Sequence, residues 1–126
     1  MIIIDSNVLI YSANEEFSYL RKLFQEPGTT VSIISKLEVL GYHKITPRQI
    51  IYFYALFKVI DILPITDNLI IQAIKYRQMK SMSVADSIIA ATARLYDCDL
   101  YTNNVSDFKN IKDFKIINPF DSLARK

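Results

Sequence analysis

The chain opens on Met1-Ile2-Ile3-Ile4-Asp5-Ser6-Asn7, and this stretch decides the fold. Ile2, Ile3 and Ile4 form a short run with no polar interruption. A strand with one face in water alternates apolar and polar residues. An unbroken apolar run reads instead as a strand covered on both faces, as in a parallel sheet. Asp5-Ser6-Asn7 ends it with side chains suited to a turn. An acid at the end of a buried strand costs stability unless something satisfies it, which makes Asp5 the first candidate functional residue.

Outward from this strand, the chain alternates helix and strand signals. Phe17, Leu20, Leu23 and Phe24 recur at helical spacing and stop at Pro27-Gly28. Thr30 to Ile34 is a β-branched apolar run, and Ser35 then opens a helix carrying Leu37, Glu38, Val39 and Leu40, which Gly41 ends or kinks. Pro47 sits at a first helical turn after Thr46, and Gln49 to Phe57 continues it. Val59 to Ile65 is a third strand. Thr66-Asp67 starts another helix, and Ser83 opens an alanine-rich one from Val84 to Leu95. Leu100-Tyr101-Thr102 and Phe114 to Ile117 are the last strands, with a helical turn at Val105 to Phe108 between them. This alternation predicts a single α/β domain over residues 1–126, with a mainly parallel sheet of four to five strands and helices on both faces.

The totals agree. The 126 residues are 51% hydrophobic and 22% charged, an ordinary globular balance for one domain. The formal net charge of +2 is too small to argue for nucleic-acid binding by itself. The single cysteine, Cys98, forms no disulfide within the chain and reads as a small core residue. The opening residues lack the pattern of a signal peptide, and no apolar run reaches the length of a membrane span. A soluble, cytoplasmic protein is expected.

Asp5, Glu38 and Asp107 each follow a strand, and Asp86 lies in the first turn of a helix. In an open parallel α/β sheet, residues just past the strand ends gather along the edge where ligands bind. Acids from distant parts of the sequence are thereby expected in one cleft. Carboxylates held close together repel, and a divalent cation relieves the repulsion. Oxygen ligands with no histidine or second cysteine nearby suit Mg²⁺ or Mn²⁺ rather than zinc. The chemistry that uses such sites most often is phosphoryl transfer, and either one ion or two, about 4 Å apart, serves it. A blander reading competes. Ser35 to Glu38, Ser83 to Asp86 and Asn104 to Asp107 all fit helix-capping patterns, where the helix dipole favours an acid with no catalysis required. The two readings are compatible, and Asp5 has no such alternative.

Several segments together resemble a known family. They are Ile3-Ile4-Asp5-Ser6-Asn7-Val8-Leu9-Ile10, Ser35-Lys36-Leu37-Glu38-Val39-Leu40-Gly41, Ala85-Asp86-Ser87-Ile88-Ile89-Ala90-Ala91-Thr92-Ala93, Leu100-Tyr101-Thr102-Asn103-Asn104-Val105-Ser106-Asp107-Phe108, and the closing Ile116-Ile117-Asn118-Pro119. In this order and spacing the sequence resembles the PIN-domain ribonucleases and, within them, the VapC-like toxins of bacterial and archaeal toxin–antitoxin pairs. The resemblance runs from end to end of the chain. It implies a doubly wound PIN fold, dependence on Mg²⁺ or Mn²⁺, cleavage of RNA, a neutralising antitoxin partner and a homodimer. It implies that Asp5, Glu38 and Asp86 hold a metal ion and that Asp107 helps place the attacking water or a second ion. Ser6, Asn7, Thr102 and Asn104 are then expected to orient the carboxylates. The sequence departs from many relatives at Asn104, where they carry an acid. The outer acid is therefore Asp107, and Asn104 offers a carbonyl oxygen.

Other residues read more plainly. His43, beside Lys44 and Arg48, is expected on the surface or facing a partner. Lys75, Arg77 and Lys80 are able to contact phosphates but read first as a solvated helix face. Tyr52, Phe53, Tyr54 and Phe57 read as core, with a partner surface second. Rival functions are a PIN-type RNA-processing nuclease that is not a toxin, and a PIN-like module that binds RNA or protein without cutting. The retained acids speak against the latter. Phosphatases of the haloacid dehalogenase type also start from a strand-end Asp, but they need a second Asp where this chain has Asn7.

Overall fold

The computed structural model describes residues 1–124, with side-chain surroundings through Asp121. The elements run β1 (Ile2–Ile4), α1 (Ser6–Ser12), a 3₁₀ segment (Glu15–Gln25), β2 (Thr29–Ser32), α2 (Ile33–Leu40), α3 (Pro47–Val59), β3 (Asp61–Leu63), α4 (Asp67–Met79), α5 (Val84–Leu95), β4 (Asp99–Tyr101), α6 (Val105–Phe108), β5 (Ile116–Ile117) and α7 (Pro119–Ala124). The five strands form one sheet in the order β3-β2-β1-β4-β5, and every neighbouring pair is parallel.

The triple isoleucine behaves as its composition demands. Ile3 packs with Leu69, Tyr76, Ile89, Leu100 and Phe108 on one face of the sheet. Ile4 packs with Val8, Leu9, Leu20, Val31 and Phe53 on the other. Successive strand residues point to opposite faces, so a strand covered twice has no place for a polar side chain. Ala90, Ala91 and Ala93 are wholly buried on α5, where small side chains let the helix lie close to the sheet.

The order of strands places the functional edge. From β1 the chain builds β2 and β3 to one side, then returns to build β4 and β5 on the other. The reversal lies between β1 and β4, whose residues pair as Ile3 with Leu100 and Ile4 with Tyr101. A crevice opens past the strand ends at such a switch point. Asp5 and Thr102 are the residues that immediately follow these two strands.

Local chemistry fixes several boundaries as expected. Thr46 and Gln49 form a reciprocal capping box at the start of α3, with Pro47 in the first turn. Ser83 caps α5 by accepting from Asp86 N at 3.0 Å. Gly28, at φ +83°, makes the turn into β2 that only glycine takes without strain. Gly41 ends α2, where a Cβ would stand 2.5 Å from the Leu37 carbonyl oxygen.

Other boundaries differ. The second strand stops at Ser32, and Ser32 rather than Ser35 caps α2, accepting from Ile34 N at 3.1 Å. Ser35 is instead drawn inside the helix and fully buried, because its hydroxyl meets Ser6 from α1. β3 is shorter than Val59 to Ile65, since α3 runs on through Val59. The last strand is only Ile116–Ile117. The sequence reading did not anticipate α7, which starts where the Asn118 side chain accepts from Phe120 N at 3.0 Å. On α3, Phe53 and Phe57 are core, but Tyr54 is half exposed because the helix buries a single stripe. Among the described residues, no helix is long and apolar enough to cross a membrane.

Candidate active site

Asp5 is the centre of the site. Contrary to the expectation that capping does not account for it, Asp5 is the N-cap of α1, because the chain turns into that helix directly after β1. It is only 4% exposed, and both carboxylate oxygens are held. Oδ1 accepts from the Ser6 N–H at 2.8 Å, and Oδ2 accepts from the Thr102 hydroxyl at 2.7 Å. Thr102 lies 97 residues away in sequence, so this bond ties the ends of β1 and β4 together across the switch point. Thr102 Oγ1 in turn accepts from the Asn104 N–H at 2.9 Å. The chain of donors polarises toward Asp5. Burial pushes the Asp5 carboxyl up from 3.8 to about 6. The Thr102 and Ser6 bonds pull it down, and the charges of Asp86 and Glu38 add to the rise.

Ser6 links Asp5 to Glu38. Its Oγ lies 2.6 Å from Glu38 Oε1 and 2.8 Å from Ser35 Oγ. A hydroxyl has one proton and a carboxylate only accepts, so Ser6 donates to Glu38 and Ser35 donates to Ser6. Because α2 starts at Ile33, Glu38 is on the second turn. The helix dipole that favours acids in a first turn does not account for it there.

Asp86 sits between the other acids. Burial raises its pKa first, Asp107 adds to the rise, Ser83 opposes it, Glu38 adds, and Lys80 opposes. The capping reading is correct for Asp86, since its backbone N–H is bound by Ser83, yet its side chain also feels two neighbouring acids. Asp107 lies on the short helix α6. Its N–H bonds the Asn104 carbonyl, and the Asn104 side chain makes no capping bond. Asp107 and Asn104 are both exposed on the rim.

The structure therefore couples Asp5, Glu38, Asp86 and Asp107 electrically, and among the described residues no three His, Cys, Asp or Glu side chains form a preformed metal cage. Mutual repulsion is what an unneutralised cluster of this kind would show. The donor set nonetheless fits a hard divalent cation, being all oxygen. Asn7 Oδ1, two positions after Asp5, is a buried acceptor with no hydrogen-bond partner among the described residues. Of the residues expected to orient the acids, Ser6 and Thr102 do so through their hydroxyls. Asn104 does so through its backbone N–H, one step removed. Sequence reasoning missed Ser35, taken for a helix cap, and the tether of Lys80 to this rim, which no local pattern announces. His43 is exposed against Tyr42, and Cys98 is buried, both away from these contacts. A cavity of about 440 Å³ lined by Glu15, Glu16, Arg21, Arg48 and Tyr52 lies elsewhere, between the 3₁₀ segment and α3.

An open parallel sheet with a buried strand-end Asp at its switch point, ringed by acids from other elements, is the architecture of a PIN domain. The chain belongs to the PIN domain family, which it matches over residues 2–113. Among proteins it resembles is Ribonuclease VapC1 of Methanocaldococcus jannaschii, 29% identical over 119 residues, covering 90% of this chain and 82% of that one. Its fold is similar to that of a toxin–antitoxin complex from Klebsiella pneumoniae, with a TM-score of 0.78 at 24% identity over 94% of this chain and 98% of the other. It is also similar to a DNA-bound VapBC from Salmonella typhimurium, with a TM-score of 0.79 at 19% identity over 93% and 98%.

Proposed function

We propose that this chain is a metal-dependent endoribonuclease and the toxin of a type II toxin–antitoxin pair. The observation that carries the reading is Asp5: a buried carboxylate, bound by Thr102 across the switch point, with Glu38 and Asp86 close enough to raise its pKa. The family and the ribonuclease among its relatives support it. In this reading Asp5, Glu38 and Asp86 would hold Mg²⁺ or Mn²⁺, and Asp107 would serve a second ion or the incoming water. When bound, such an ion supplies Lewis acidity toward a phosphodiester.

The remaining work falls to the chain's own groups. Thr102 and the Ser6 N–H keep Asp5 ionised and fixed in orientation. Ser6 turns Glu38 toward the same edge. Asp107, on the exposed rim, is free to orient a water against the scissile phosphorus. His43 is the single histidine of the sequence, which argues against paired-histidine cleavage of RNA. Partner binding is read from the surface. Leu37, Ile51, Tyr54 and Val59 are half or more exposed, and the same reading gives the chain an antitoxin and a second copy of itself as partners. A cytoplasmic location is part of the same reading.

The test is cleavage of a mixed RNA pool by purified protein with Mg²⁺ or Mn²⁺, then with EDTA, beside Asp5→Asn. Metal-dependent cleavage that disappears in the variant supports the reading. Cleavage that survives both EDTA and the variant sinks it.

A further inference from the structure

Three cations stand on or just after the last turns of α4, and the structure separates them. Lys75 is exposed. Arg77 is exposed and tied to its own loop, its Nε donating to the Met82 carbonyl at 3.3 Å. Lys80 is different. It is partly buried, it follows the end of α4 at Met79, and its Nζ donates to the backbone carbonyl of Asp107 at 2.8 Å. An ammonium with three N–H groups spends one on that carbonyl. Among the described residues no carboxylate pairs with it. A lysine beside a cluster of acids would be expected to neutralise one of them by direct contact. The backbone tether instead holds the charge on the rim beside Asp107 with donors to spare.

We infer that Lys80 binds a backbone phosphate of the RNA strand as it enters the acidic cleft. The inference rests on the ribonuclease reading and assigns it a substrate contact. The physical need is clear. A polyanion approaching Asp86 and Asp107 is repelled, and one fixed cation at the mouth offsets that repulsion where the strand must pass. Tethering by a carbonyl costs the ammonium none of its charge, whereas an ion pair would cancel it. Lys80 is thus a substrate-binding residue, and its bond to Asp107 O is what holds it in place.

The experiment compares wild type, Lys80→Ala, Lys80→Arg and Lys75→Ala in metal-dependent cleavage of a single-stranded RNA oligonucleotide across a range of salt. For Lys80→Ala, kcat/KM falls about tenfold at low salt, mostly through KM. The slope of log kcat/KM against log salt becomes shallower by about 0.7, the value for one phosphate contact on a single strand. Lys80→Arg recovers most of both. Lys75→Ala, which removes the same charge from α4 a short way before Lys80, leaves the slope in place. A Lys80→Ala variant that loses only thermal stability or kcat, with an unchanged salt slope, overturns the inference and leaves the ribonuclease reading standing. Wild-type protein that cleaves no RNA with either metal overturns both, and that is read before any variant is compared.

Discussion

Replacing Asp5 with asparagine is expected to stabilise the metal-free protein at neutral pH while it removes the activity. The folded pKa of Asp5 is raised from 3.8 to about 6, chiefly by burial. A carboxyl raised in this way favours folding only while protonated. Wild-type stability from this group is therefore full below the unfolded pKa, falls as pH rises through about 6, and is level above it. The whole rise corresponds to about 3 kcal/mol at pH 7.5. Asparagine escapes that penalty but accepts with one oxygen where aspartate used two. Either the Ser6 N–H or the Thr102 hydroxyl then loses its acceptor, at a cost of about 1 kcal/mol. The net gain is about 2 kcal/mol at pH 7.5, or roughly 6–10 °C in Tm for a chain of this length. At pH 4 the penalty shrinks to roughly 0.5 kcal/mol, so the variant is level with wild type or slightly below it. The assay is thermal and urea unfolding of both proteins in EDTA at the two pH values. A difference that does not change between pH 4 and pH 7.5, or a variant less stable at both, refutes the reasoning.

Thr102→Val removes the hydroxyl that lowers the Asp5 pKa, so the acidic limb of the pH–rate profile for RNA cleavage moves to higher pH, with about 1 kcal/mol of stability lost in urea unfolding. Ser6→Ala releases Glu38 from its 2.6 Å bond, and Mn²⁺ affinity by calorimetric titration is expected to fall roughly 10–100-fold with the fold intact by circular dichroism. Leu100→Ala opens a cavity against Ile3 at the centre of the sheet, and chemical unfolding should register a loss of roughly 2–5 kcal/mol.

The parts of this protein legible in its sequence are those decided locally. The triple isoleucine announced a doubly covered strand because the pleat leaves no exposed face to encode. Thr46-Pro47 and Ser83 announced α3 and α5 because capping is settled within one turn. The strand-end rule carried Asp5, Glu38 and Asp107 toward one edge, since a parallel sheet leaves few topologies open. Thr102, read as the last residue of its strand, follows β4 instead. The rest depended on choices that the local pattern leaves balanced. Ser32 and Ser35 both suit a helix cap, and only the burial of Ser35 against Ser6 decides between them. Asn104 carried a plausible side chain, yet its backbone N–H does the work, and every residue but proline has one. Lys80 reads from sequence as part of a solvated helix face, whereas it follows the end of α4, and its tether to Asp107 spans 27 residues.

The bond between Asp5 and Thr102 also has a consequence in time. Ribosomes deliver residues from the N-terminus at about 5–20 per second, so several seconds to roughly twenty separate the appearance of Asp5 from that of its partner. Throughout that interval β1 has only β2 to pair with, and the carboxylate lacks the hydroxyl that holds it in the folded protein. The site is thus completed late in synthesis, although its central residue is among the first made. Until then the growing chain carries the acid without the hydroxyl that fixes its orientation.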